Sequence, residues 1–139
     1  MAALTDARYL EFVGHQDEIS PRVASGASYY KGALLVYDAN GLAAQPSDAA
    51  GLYPAGIITG QYEDGDRVDE KAATTTVRAR IFRGKVWLPF AGAAQTDVGK
   101  KFYIADDQTL TKTAGTKTVA IVALDFKPGY LLFDLRVTA

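Results

Sequence analysis

Apolar positions along this chain fall in short, strand-sized runs separated by glycine, proline, asparagine and aspartate. Residues 33–37 (Ala-Leu-Leu-Val-Tyr) read as a strand buried on both faces, because no polar residue interrupts them. Asn40-Gly41 follows. Both central positions of a tight hairpin turn need φ > 0, so this pair predicts a hairpin, with residues 42–45 returning until Pro46. Residues 55–62 predict another strand, whose glycines mark a bulge or a close approach. Residues 74–82 alternate, with Val77, Ala79 and Ile81 on one face and Arg78 and Arg80 on the other; that is a strand with one solvated side. Arg83-Gly84 turns or bulges the chain, and residues 85–90 continue as a strand with Pro89 at its end or edge. A loop over 91–99 holds one helical turn at 95–98. Further strands are expected at 101–104, 109–111, 118–124 and 130–137, the last two joined through Pro128-Gly129.

About eight or nine short strands, spaced roughly 8–12 residues apart, are the pattern of a sandwich or barrel. No long helical period stands between the strands, which argues against β-α-β folds. The expected fold is therefore all-β, a small single-domain barrel or sandwich. Residues 1–28 break the pattern. Residues 3–13 suit a short helix or an extended arm, and 14–22 are polar and end in a Ser-Pro step that disfavours helix. The segment 1–28 is read as an N-terminal arm, with Leu4, Tyr9, Leu10, Phe12 and Val13 as apolar anchors, and 29–139 as the β-domain.

Composition narrows the chemistry. With 139 residues, 48% hydrophobic and 22% charged, the chain can bury one core and is not disordered as a whole. No apolar run approaches a membrane span. There is no cysteine and one histidine, His15, so disulfides, thiolate catalysis and His-rich metal sites are out of reach. The first residues lack the basic and apolar regions of a signal peptide, so synthesis and assembly in a cytoplasm are expected. Around Gly99-Lys100 a phosphate-binding loop fails twice: Ala94 stands where its first glycine belongs and Lys101 where Ser or Thr must follow. The acidic stretch 60–70 lacks the spacing of a calcium loop and reads as solvated. Asp106-Asp107 reads as a turn pair and not a catalytic one. No catalytic residue, cofactor or metal is expected.

Charge is nearly balanced in sum, at −1, but not in place. Residues 1–70 hold four bases and eleven acids, a net of −7, whereas residues 71–139 hold eleven bases and five acids, a net of +6. Either the halves pair within one fold, or an acidic face meets a basic face of a neighbouring copy. Arg78, Arg80, Arg83 and Lys85 lie near Phe82 and Trp87, a mixture seen on single-strand nucleic-acid binders, but the chain has no basic field overall. These four bases are better read as an exposed, charged strand face that pairs with the acidic half of this chain or of a neighbouring copy, and so as candidate oligomer contacts.

Residues 30–41 (Tyr-Lys-Gly-Ala-Leu-Leu-Val-Tyr-Asp-Ala-Asn-Gly), 46–52, 55–58, 77–80, the stretch 92–107 (Gly-Ala-Ala-Gln-Thr-Asp-Val-Gly-Lys-Lys-Phe-Tyr-Ile-Ala-Asp-Asp) and 119–124 occur in an order that resembles the small capsid decoration, or cement, proteins of tailed bacteriophages. The resemblance spans about residues 29–125 and is one of layout, without a catalytic motif. It implies a β-module on the exterior of the virion capsid, assembled in the host cytoplasm, that binds the major capsid protein and stabilises the head. It implies self-association, a homotrimer before a dimer, and neither nucleic acid nor membrane as partner. An arm that orders on contact and adds a strand to a neighbour suits such a role. The alternative is a carbohydrate- or receptor-binding β-module of a phage tail or fibre, with Trp87 or Tyr29-Tyr30 as its aromatic platform. An enzyme or a single-strand binder ranks behind both.

Overall fold

The structure, a computed structural model, describes residue 4 and residues 8–24, 29–62, 78–117 and 119–138. Its elements are β1 (Glu11–Ile19), β2 (Leu34–Tyr37), β3 (Ala43–Ala44), β4 (Tyr53–Tyr62), β5 (Ala79–Pro89), a 3-10 turn (Gln95–Asp97), β6 (Lys101–Ile104), β7 (Leu110–Thr111), β8 (Ile121–Val122), β9 (Asp125–Lys127) and β10 (Tyr130–Asp134). The protein is all-β. One antiparallel sheet runs β3-β2-β4-β5-β10-β9 with β1 also on β5, and a smaller one runs β7-β6-β8.

β5 organises the larger sheet. β1 pairs with it between Ile81 and Trp87. Phe82 faces both Glu18 of β1 and Ile57 of β4, and Lys85 faces both Val13 of β1 and Asp134 of β10. A strand residue has one neighbour on each side, so β4 and β10 share the edge opposite β1, one after the other. They part at Gly84. Opposite that point β1 bulges between Val13 and Asp17, and the Gln16 amide folds over Gly84, its Nε2 donating to the carbonyls of Val13 and Lys85 at 3.1 Å each. A Cβ at residue 84 would lie 2.5 Å from Gln16 Oε1. The Arg83-Gly84 step is therefore not a turn; it is the branch point of one eleven-residue strand.

Two cores result. The first lies between the sheets and joins Leu34, Ile57, Val86, Leu88, Leu131 and Phe133 to Phe102, Ile104, Leu110 and Ile121. The second lies on the other face of β2 and β4 and gathers Val23, Tyr29, Ala33, Leu35, Ile58 and Ile81. Neighbouring residues such as Leu34 and Leu35, or Ile57 and Ile58, thus enter opposite cores, which is why β2 reads as an unbroken apolar run.

Two expectations need correction. The polar stretch 14–22 is mostly strand: β1 reaches Ile19, Arg22 bridges Arg78, and Val23 is fully buried beside Ala43. β1 hides its period because most of its side chains are exposed or half-buried and its bulge breaks the alternation. The run predicted as one strand over 118–124 divides between the sheets. β8 pairs with β6, the Leu124 N–H then donates to the Leu132 carbonyl at 2.7 Å, and β9, expected to be a connection, pairs with β10. Residues 74–77 of the strand predicted over 74–82 and the acidic loop over 63–71 lie outside the described residues.

Candidate interaction surface

The proposed arm anchors point in different directions. Leu4 packs against the second core, and its N–H donates to Asp107 Oδ1 at 2.7 Å. Leu10 and Phe12 pack against the first core, with the Phe12 ring edge-on to Phe82 at 5.5 Å between centroids. Arg8, which the sequence did not single out, fixes this segment. Its N–H donates to the Lys31 carbonyl at 2.8 Å, and its guanidinium donates to the carbonyls of Gly32 and Asp107 at 2.8 and 3.3 Å. Of the five anchors, Tyr9, 82% exposed, and Val13 on the outer sheet face are the ones turned away from the cores.

The four bases do not share one face. Side chains alternate along a strand, so Arg78 and Arg80 lie on one side of the β5 line and Arg83 and Lys85 on the other. Arg80 holds Glu18 through two bonds of 2.6 and 2.9 Å, and Arg78 donates to the Ser20 carbonyl at 3.0 Å. Arg83 is half-buried, whereas Lys85 is exposed beside Val13 and Asp134.

The register builds a different surface. Facing residues share a side of the sheet. Phe12, Val86 and Phe133 form one row toward the first core, and Leu88, Leu131 and Phe126 form the next. The opposite, outer rows are Val13–Lys85–Asp134, Glu11–Trp87–Leu132–Asp125 and Pro89–Tyr130–Lys127. The outer face thus carries Trp87, Tyr130, Pro89, Leu132 and Val13 inside a charged rim. Beside it a groove of about 290 Å³ is lined by Tyr9, Glu11, Trp87, Pro89, Lys127 and Tyr130. The Lys127 ammonium lies 4.7 Å from the Trp87 ring centre and 5.2 Å from that of Tyr130, and bonds Glu11 Oε1 at 2.8 Å. Lys31 covers the Tyr9 ring at 4.8 Å. Large aromatics within a charged rim are the anatomy of protein contact surfaces. Trp87 and Tyr9 were legible as candidates; Glu11, Tyr130 and Lys127 were not, because only strand register brings them together.

The buried carboxylates are structural. Asp97 is 2% exposed; it accepts the Ala94 N–H at 2.9 Å and pairs with Lys112 at 2.6 Å. The hydrogen bond from Lys112 holds its pKa below the usual carboxylate range. Asp107 is 1% exposed, and burial pushes its pKa up. Asp48 ties two loops together by accepting from Thr116 and Lys117, which brings its pKa down to about 2. Among the described residues no group of three or more His, Cys, Asp or Glu side chains could hold a metal ion.

No family model and no curated protein matches this chain. A solved structure shares its fold: a chain of "The capsid of Myoviridae Phage XM1" superposes with a TM-score of 0.54 at 15% identity, over 97% of this chain and 93% of that one.

Proposed function

We propose that this protein is a structural component of a bacteriophage head, a decoration or cement protein seated on the outer surface of the shell. The observation that carries this reading is the fold shared over nearly the whole of both chains with a chain of a phage capsid. The outer face of β1, β5, β10 and β9 supports it, since it offers rings and apolar side chains beyond what either core uses. The role asks for a rigid body that adds many identical, individually weak contacts, which sum through avidity on a lattice. The chain up to the start of β1 serves this role by holding Tyr9 and Val13 outward while Leu4, Leu10 and Phe12 secure it to the body. The major capsid protein is the partner, the virion exterior the site, and self-association into trimers, in preference to dimers, the expected state. No catalysis is part of the role.

Mixing the purified protein with heads of the same phage prepared without it tests the reading. Saturable co-sedimentation at fixed stoichiometry, with a raised melting temperature of the heads, is the expected result. Heads that sediment bare at micromolar protein would overturn it. Light scattering of the isolated protein reports its oligomeric state.

A further inference from the structure

We propose that the groove beside Tyr9 receives a basic side chain of a partner protein, and that Lys127 is its resident plug. Lys127 stands on β9 and Glu11 on β1, with β10 and β5 between them in the sheet. The lysine therefore lies across the outer face, over Tyr130 and Trp87, before it meets the carboxylate. Two ring faces and one carboxylate that converge on a single ammonium form a recognition site for an organic cation. The groove extends past that ammonium to Tyr9 and Pro89, with room for a flat guanidinium, which stacks on rings more closely than an ammonium does; Arg8 also lines it, with its guanidinium bound to the carbonyls of Gly32 and Asp107.

The resident lysine is weakly held. Its side chain is 38% exposed and its carboxylate partner more so, which leaves the pair open to screening by salt. A lysine fixed over two rings also gives up much rotamer freedom. An incoming arginine that takes its place keeps Glu11 paired and frees Lys127 to return to water. A neutral group that displaced it would give up the cation–ring contacts and leave Glu11 to water alone, and an acidic group would also face the like charge of Glu11. The chemistry thus selects a basic side chain. Under the head-protein reading this side chain belongs to the shell, and only that identification rests on the reading; the site itself can be tested without any head.

The chain has a single tryptophan, Trp87, so its fluorescence reports on this groove directly. Wild-type protein and the Lys127→Ala variant are titrated with acetyl-Gly-Arg-Gly-amide, with acetyl-Gly-Glu-Gly-amide and methyl glucoside in parallel. A saturable change in Lys127→Ala emission, at arginine-peptide concentrations about fivefold or more below those the wild type needs, is expected because removing the plug raises the receptive fraction. Adding Glu11→Gln to that variant should abolish saturation. Lys127→Gln serves the same purpose if the alanine variant melts early. No saturable response without the lysine, an equal response in wild type, an equal response without the Glu11 carboxylate, or tighter binding of the acidic peptide or the sugar would each overturn the proposal. Binding of wild-type protein to heads is scored separately, so failure of the head-protein reading is distinguishable from failure of this site.

Discussion

Replacing Phe12 by alanine tests whether the segment before Gly14 belongs to the folded body or waits as a free arm. The Phe12 ring packs on the first core and meets Phe82 edge-on at 5.5 Å, yet the residue remains half-buried. A fully buried Phe→Ala costs roughly 3–5 kcal/mol, and half that burial brings the loss to about 2 kcal/mol. Within it, the ring pair accounts for about 0.5–1.5 kcal/mol. At about 2.1 cal/mol/K of unfolding entropy per residue, that loss lowers the melting temperature by about 7 °C for a chain of this length. The matched control is Tyr9→Ala, three residues away and 82% exposed, which should change stability by about 0.5 kcal/mol or less. Urea melts of both variants beside wild type, with m-values compared, give the two numbers. Equal small losses for Phe12→Ala and Tyr9→Ala would refute the packing of β1 described above and return residues 8–13 to the status of an arm. Deleting residues 2–13 follows the same logic. It removes Leu4, Arg8, Leu10 and Phe12 together, so a large loss of stability is expected in place of the near-neutral effect a free arm would show.

Gly56→Ala should destabilise by about 2 kcal/mol or more, because the new Cβ would sit 2.5 Å from the Phe82 carbonyl oxygen at φ +146°, where the backbone cannot yield without breaking the β4–β5 pairing; chemical denaturation measures it. Asp48 has a folded pKa of about 2 against an ordinary 3.8, so its stabilising contribution is complete above about pH 4 and fades as the pH falls toward 2. Asp48→Asn should remove that portion of the acid sensitivity, as read from stability measured between pH 5 and 2. Asp107 carries the opposite sign: burial raises its folded pKa, so its contribution is greatest below the ordinary carboxylate pKa and declines as the pH rises through the folded value. Asp107→Asn, whose amide oxygen can still accept the Leu4 N–H, should flatten that decline in a stability profile from pH 3 to 7.

What the residues disclosed depended on whether a strand buries a face of its own. β2, β4, β6 and β10 carry apolar side chains into a core, and their positions follow from pattern alone. The hairpin at Asn40-Gly41 is likewise local, but it is not the two-residue turn expected of that pair: of the two only Gly41 has a positive φ, at +76°, its N–H donates to the Asp38 carbonyl at 3.1 Å, and Asp38 Oδ1 accepts the N–H groups of Asn40 and Leu42. β1 and β9 are different. Each is an outer strand of the sheet, mostly exposed or half-buried, and acquires its conformation from the partner it joins. The interaction surface was half legible for the same reason. Trp87 and Tyr9 are conspicuous as large rings, but Glu11, Lys127 and Tyr130 come from three strands and meet only through register. The four bases at 78–85 looked like one face because they are close in sequence; the two-residue period of β5 divides them.

That period also gives the uneven charge distribution a structural use. Among the described residues, four of six ion pairs join an acid of the first seventy residues to a base of the rest: Glu11 with Lys127, Asp17 with Arg136, Glu18 with Arg80 and Asp48 with Lys117; Asp97–Lys112 and Asp134–Arg136 lie within the second half, and Arg136 holds Asp134 at 3.0 Å more closely than Asp17 at 3.9 Å. Exposed pairs of this kind contribute about 0.2–1 kcal/mol each, too little to hold a fold together. Their worth lies in register. Asp17 and Glu18 are neighbours on β1, so their side chains leave on opposite sides of the sheet, one toward Arg136 and the other toward Arg80. A one-residue slip of β1 along β5 would exchange the two sides, break both pairs and turn Phe12 outward. A strand with so weak an apolar pattern needs such a lock, and acids early in the chain with bases late in it are what a lock between β1 and the sheet formed later by β5 and β10 requires. The charges that suggested contact between copies are in these pairs committed within the chain, which leaves the uncharged rings of the outer face as the groups with most to offer a partner.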